Sequence, residues 1–479
     1  MIFSSFSFFV FLAAVLGLYA LARNQRERAG LLLAASLIFY ASWKPAYLLL
    51  LLASLAINHR FYGRVLATRS RGWLVLAVVL NLVFLGAAKY LAFLTDTLFT
   101  LLGLAGLVAP AGAPEWMHWA LPLGVSFYTF HMLSAMIDAY RGVWAREVSF
   151  ERWCLYVTFF PHLIAGPILR PGQLIDQLGE LAPLNAVNLR LGGAIFAAGL
   201  VKKTLFADNL APIADAAFAN PASLDAASAW LGTLAFTFQI YFDFSGYSEM
   251  AIGLALFFGV ALPRNFLYPY LSCSPTEFWR RWHITLSTWL RDYLYIALGG
   301  NRHGTVRTAV NLMTTMLLGG LWHGASWTFV VWGALHGIYL IGHRALTAAF
   351  LALGVTAGSA VSRGLSAAGL PLTFLLVLVT WVFFRATSFG DAWAVLTAMA
   401  GAHDVTGAPL QFRLYEIGIV ALSAVLIVVE PALVRRAERQ GIGGWWRLPF
   451  PLRGVAYASL ALVVIAFGGT TQKFIYFDF

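Results

Sequence analysis

The sequence is poor in charge. Lys, Arg, Asp and Glu together make up 11% of its 479 residues, against about 25% in a typical soluble domain. So few charged side chains cannot cover a water-facing surface, which excludes an ordinary soluble enzyme. Cysteine is nearly absent too. Cys154 and Cys273 stand far apart, in no metal or redox spacing, so a disulfide framework is excluded. There is no HExxH pair, no Walker-type phosphate loop and no serine-centred nucleophile elbow, and a metal site is not expected. No repeat of 20–50 residues and no low-complexity tract occurs. The net charge of +11 does not point to nucleic acid, because the basic residues are spread over loops between apolar runs and form no single face or arm.

What is abundant is apolar and aromatic. Hydrophobic residues make up 60%, with Phe 38, Tyr 18 and Trp 17, and the mean hydropathy is +0.76. A helical span takes about 20 apolar residues. The windows 2–21, 73–94, 119–139, 189–207, 226–260, 326–342, 371–384, 414–430 and 452–468 qualify. The N-terminal window lacks a basic flank and is longer than a signal peptide needs, so it reads as a retained span. Window 226–260 is too long for one straight span and is expected to bend. Stretch 30–57 is interrupted by Trp43-Lys44-Pro45, which predicts a helical hairpin. Stretch 153–169 carries Pro161, His162, Gly166 and Pro167, a broken segment of the kind sheltered inside a bundle. The fold class expected is all-α: a polytopic membrane bundle of roughly ten to thirteen segments, some short or re-entrant, as one membrane-embedded domain over 1–479.

Basic residues set the expected orientation. Arg23, Arg26 and Arg28, then Arg60, Arg64, Arg69 and Arg71, should face the cytoplasm. The stretch Leu91–Tyr140 has no Lys or Arg, and its loop near 103–114 should be external. The cluster from Arg435 to Arg453 lies inside. Both termini are therefore expected outside.

The polar interval 263–308 reads LPRNFLYPYLSCSPTEFWRRWHITLSTWLRDYLYIALGGNRHG in its central part. Ser274-Pro275-Thr276-Glu277 predicts a helix start. The segment either lies on the cytoplasmic surface or dips into the bundle with His283 at its inner end; spacing leaves both open. Next comes GGLWHGASWTFVVWGALHGIYLIGH, with His323 at the head of a span and His336 and His343 further along. A histidine at membrane depth either bonds a neighbouring helix or exchanges protons with a substrate. His303 and His343 suit span ends, and His59, His118 and His403 suit loops. Upstream, FQIYFDFSGYSEMAIG puts Asp243 and Glu249 inside an apolar run. Such carboxylates must be paired, neutralised or solvated.

These segments resemble the membrane-bound O-acyltransferase family, in particular its bacterial alginate O-acetylation branch. The matching stretches are WRRWHITLSTWLRDYLYIALGGNR and LWHGASWTFVVWGALHG, with FDFSGYSEMAIG, LPLGVSFYTFHMLSAMIDAYRG and FFPHLIAGPILRPGQL upstream. The opening MIFSSFSFFVFL and the closing FIYFDF are similar as well. His131 and His162 depart from the pattern, which has Gln at both places. Ala297 stands for Pro, and Glu249 for Asp.

The resemblance implies a ring of helices around a central funnel, with His323 as the family's invariant histidine and His283 as its second. It implies transfer of an acyl group, chiefly acetyl, from a cytoplasmic thioester donor (acetyl-CoA or an acyl carrier) toward an exported polysaccharide, through an extracytoplasmic acetyltransferase partner. No bound cofactor is expected. Asp243, Trp322, Asn301 and Arg281 are secondary tunnel or orienting candidates. Arg280, Arg281, Arg291, Arg302 and Arg307 would attract donor phosphates. Bacterial inner membrane is the expected location. A transporter using buried Asp243 and His323 and a non-catalytic subunit of an export complex are the alternatives.

Overall fold

The structure is a computed structural model. It describes residues 1–107, 112–114, 117, 121–356, 358–403, 405, 410–446, 449–468, 472, 474 and 475, all helix or irregular chain with no strand among them. His118, residues 108–111 of the 103–114 loop and the Phe479 end lie outside these residues. By internal contacts the chain divides into two compact units. One holds Phe3–Leu189 with Leu254–Leu262; the other holds Arg190–Gly253 with Pro263–Phe479.

The first unit contains α1 (Phe6–Leu21), α2 (Gln25–Ala41), α3 (Pro45–Thr68), α4 (Arg71–Leu104), α5 (Val125–Arg141), α6 (Phe150–Thr158) and α7 (Pro171–Leu178), and α8 (Ala186–Val201) begins there. Local chemistry starts these helices. Ser5 caps α1 by accepting from the Phe8 N–H. At the start of α2 the Glu27 N–H donates to Asn24 Oδ1, and the Glu27 carboxylate accepts from the Asn24 side chain and the Arg23 N–H, a variant of the reciprocal cap. Trp43-Lys44-Pro45 breaks the apolar run as expected, with Pro45 in the first turn of α3. Asn81 donates to Asn58 at 2.6 Å in the buried seam of α4 and α3, a polar tie of the kind that joins helices in lipid. The broken stretch after α6 is also found: the chain runs irregularly from Phe159 to Arg170, and the Phe160 N–H bonds Ser36 of α2. His131 and His162, the two histidines that stand where the resemblance leads one to expect Gln, face each other there with ring centroids 4.7 Å apart.

The second unit takes the rest of α8, a π-helical turn at Lys202–Ala207, α9 (Asp208–Ala219) and most of α10 (Ala226–Phe257). It continues with α11 (Pro275–Arg281), α12 (Ile284–Trp289), a second π turn (Leu290–Tyr295), α13 (Gly304–His323), α14 (Trp327–Ala352), α15 (Ala360–Arg385), α16 (Phe389–Met399), α17 (Leu414–Trp446) and α18 (Phe450–Phe467). The 226–260 window forms a single helix, α10, with no proline inside it. Ser274 starts α11 as expected, accepting from the Glu277 N–H. His59 is helical rather than in a loop; it lies in α3, bonded to the Val148 carbonyl. Among the described residues three helices are long and apolar enough to cross a membrane: Arg71–Leu104, Ala360–Arg385 and Leu414–Arg439. α1 is apolar but shorter. The fold is an all-helical, polytopic membrane architecture in which long helices such as α10 and short segments such as α11 and α12 both carry polar side chains.

Candidate active site

His323 is the last residue of α13. The helix stops because Gly324 turns extended and Ser326 caps α14. The two helices then cross in close contact. A Cβ on Gly320 would strike the Phe329 carbonyl oxygen, and one on Gly333 would strike that of Met316. Only glycine lets the backbones approach this far. The crossing sets Trp332 of α14 against His323, with centroids 4.9 Å apart at 78°. Phe384 of α15 lies at 5.3 Å and Trp322 at 5.0 Å. His323 is 3% exposed.

His283 sits at the break between α11 and α12. Its backbone is left-handed, φ +41°, a conformation that costs a non-glycine residue roughly 1 kcal/mol or more. Parallel support comes from the preceding segment. Leu267 N–H donates to the Arg281 carbonyl and Ile284 N–H to that of Asn265, both at 2.9 Å, so the strained residue is pinned on either side. The ring is fully buried. Phe244 of α10 meets it edge-on at 4.6 Å, and Trp322 lies at 6.3 Å. Trp322 is therefore the shared neighbour of both histidines.

His336 lies one layer away. Its Nδ1 accepts the Trp279 indole N–H at 3.2 Å, and Trp332 lies 4.7 Å from its ring. It belongs to the aromatic packing behind His323. The result is a buried cluster of rings around two imidazoles, a setting in which exclusion of water would favour proton transfer between bound groups.

The other candidates separate. Asp243 holds Lys203 at 2.7 Å through Oδ1 and accepts the Ile475 N–H at 2.8 Å through Oδ2. Of the roles open to it, the one its oxygens show is pairing with a lysine. Asn301 is exposed, in the turn before α13. Arg281 pairs with Glu277 one turn back at 2.6 Å. Of the basic group, Arg280, Arg291, Arg302 and Arg307 are exposed; Arg291 pairs with Asp292, and Arg302 bonds the Ile296 and Gly299 carbonyls.

Two features escaped the sequence reading. Lys202 and Lys203 lie inside the apolar window 189–207, and a lysine pair there is a visible flag for buried carboxylates. Lys202 bonds both Glu249 and Glu430, and Tyr241 also donates to Glu430. Lys203 takes Asp208 at 2.8 Å as well as Asp243. Asn265, in contact with His283, carried no flag at all. Among the described residues no group of three or more metal-ligating side chains occurs.

Comparison with known proteins gives the family. Residues 144–357, which include His283 and His323, match the membrane-bound O-acyltransferase family. The chain is 45% identical over 455 residues to a probable alginate O-acetylase AlgI of Azotobacter vinelandii, covering 93% of this chain and 87% of that protein. It is 47% identical over 410 residues to the Pseudomonas aeruginosa protein of the same name, covering 83% and 75%. It is 38% identical over 419 residues to a peptidoglycan O-acetyltransferase of Helicobacter pylori, covering 81% and 77%. With similarity at this level over most of its length, the chain belongs to the membrane-bound O-acyltransferase family.

Proposed function

We propose that this O-acyltransferase moves acetyl from a cytoplasmic thioester, acetyl-CoA or an acyl carrier, toward an exported polysaccharide of the alginate type. An extracytoplasmic acetyltransferase completes the transfer. The names of the relatives support acetyl and an extracytoplasmic polymer. The expected placement is the bacterial inner membrane with both termini outside.

One observation carries the assignment of the site. His283 and His323 come from different helices and meet the same Trp322 ring in a buried aromatic cluster. In the proposed reaction, His323 takes the proton of the acceptor hydroxyl as its oxygen attacks the thioester carbonyl. The new C–O bond forms, the C–S bond breaks, and the same proton passes from His323 to the leaving thiolate. The surrounding rings keep water from the thioester. His283 aligns the reacting groups. Exposed arginines of the 280–307 stretch attract the donor's phosphates by charge.

The test is His323→Ala in cells at equal membrane expression, with alkali-labile acetate on the exported polymer as the readout. General acid–base catalysis contributes about 10²–10⁴-fold, so the ester content should fall to background. Unchanged acetate would remove His323 from the reaction.

A further inference from the structure

We infer that Asn265 is a positioning residue that locks His283 as its Nδ1–H tautomer, so that Nε2 meets the substrates as a hydrogen-bond acceptor. This deepens the proposed function and rests on the place of His283 in that site.

Asn265 is 1% exposed. Its Oδ1 lies 3.1 Å from the Thr285 backbone nitrogen, 2.9 Å from the Thr285 hydroxyl and 3.3 Å from His283 Nδ1. A backbone N–H can only donate, so the atom facing Thr285 is the amide oxygen, and the side-chain orientation is settled. That oxygen has no hydrogen to give. His283 Nδ1 must therefore carry the proton in this bond, and in a neutral imidazole the lone pair then sits on Nε2.

The rest of Asn265 is fixed as well. Its amide nitrogen faces Ser248 Oγ of α10 at 3.4 Å, and its carbonyl accepts from Ile284. One residue thus fixes the backbone after His283, the rotation of its ring and the location of its proton.

The chemistry at Nε2 follows. In its neutral form it takes an N–H or O–H of a bound substrate. It does not donate to a carbonyl oxygen, so His283 orients a substrate rather than stabilising an oxyanion. His336 offers the opposite case: Trp279 donates to its Nδ1, which puts the ring proton on Nε2. The two histidines carry opposite tautomers, each dictated by one neighbour.

The test uses the full-length protein, purified with nitrogen-15 histidine; the His283 resonances are those missing in His283→Gln. Wild type should show a protonated Nδ1 and a bare Nε2. Asn265→Ala should lose that assignment, and polymer acetylation should fall about 10- to 100-fold, the scale known for partners that orient functional histidines. Asn265→Asp keeps the shape and the acceptor, so it covers the case in which the alanine variant does not fold. It should retain the tautomer, and its carboxylate should favour the imidazolium and raise the pH at which His283 titrates. A bare Nδ1 in wild type, or an unmoved midpoint in Asn265→Asp, overturns the proposal. Failure of the underlying reading looks different: His283→Gln would then acetylate normally while the tautomer result stood.

Discussion

At the scale of single residues, most of the site depends on shape. Gly320 and Gly333 matter because a Cβ at either would meet backbone. Gly320→Val is expected to cost at least the roughly 1–3 kcal/mol of an overpacked core, seen as a lowered midpoint of thermal unfolding in detergent. His131 and His162 make a second residue-scale case. Both stand where the resemblance leads one to expect Gln, and they touch. If the pair is a matched exchange, His131→Gln with His162→Gln should be tolerated better than either change alone; additive losses would deny the coupling. The sequence offered His323 on a specific motif and His283 with an open role. It could not show Asn265. An asparagine before a phenylalanine in a loop has no periodicity to betray it, and its partner lies across a fold in the chain.

At the scale of elements, the break at His283 is the least legible feature. No glycine or proline announces it; the tertiary bonds from Asn265 and Leu267 impose it. By contrast, Trp43-Lys44-Pro45 and Ser274-Pro275 act locally, and both could be read. The π turn at Lys202–Ala207 supplies another prediction. Lys203→Met would leave Asp208 and Asp243 buried without their counter-charge. Breaking a buried pair in this way costs about 3–5 kcal/mol, and the readout is the yield of monodisperse protein. Adding Asp208→Asn and Asp243→Asn removes the stranded charges and should recover most of that yield. If the triple variant is as poor as the single one, charge balance is not what the cluster supplies.

At the scale of the whole molecule, low charge and long apolar runs were enough to specify a helical membrane protein. They could not specify which segments lie deep, because depth depends on partners. Windows such as 226–260 are apolar by average yet carry the groups that organise the second unit. The bias of basic residues predicts the orientation: a reporter active only outside the cytoplasm, fused after Phe479, should be active, and one inserted at Arg64 should not. The opposite pattern would invert the proposed donor and acceptor faces.

One helix lends these scales a common consequence. Along α10, Tyr241 holds Glu430, Asp243 holds Lys203, Phe244 packs on His283, Ser248 meets Asn265 and Glu249 holds Lys202. During synthesis the two lysines emerge before the α10 carboxylates that neutralise them. A lysine alone at membrane depth is costly, so α8 should linger beside the insertion machinery until α10 arrives. The pair would then enter the lipid together. Crosslinking of stalled nascent chains would test this: α8 should release on schedule once Lys202 and Lys203 are replaced by leucine, and a wild-type α8 that leaves just as early would refute delayed entry.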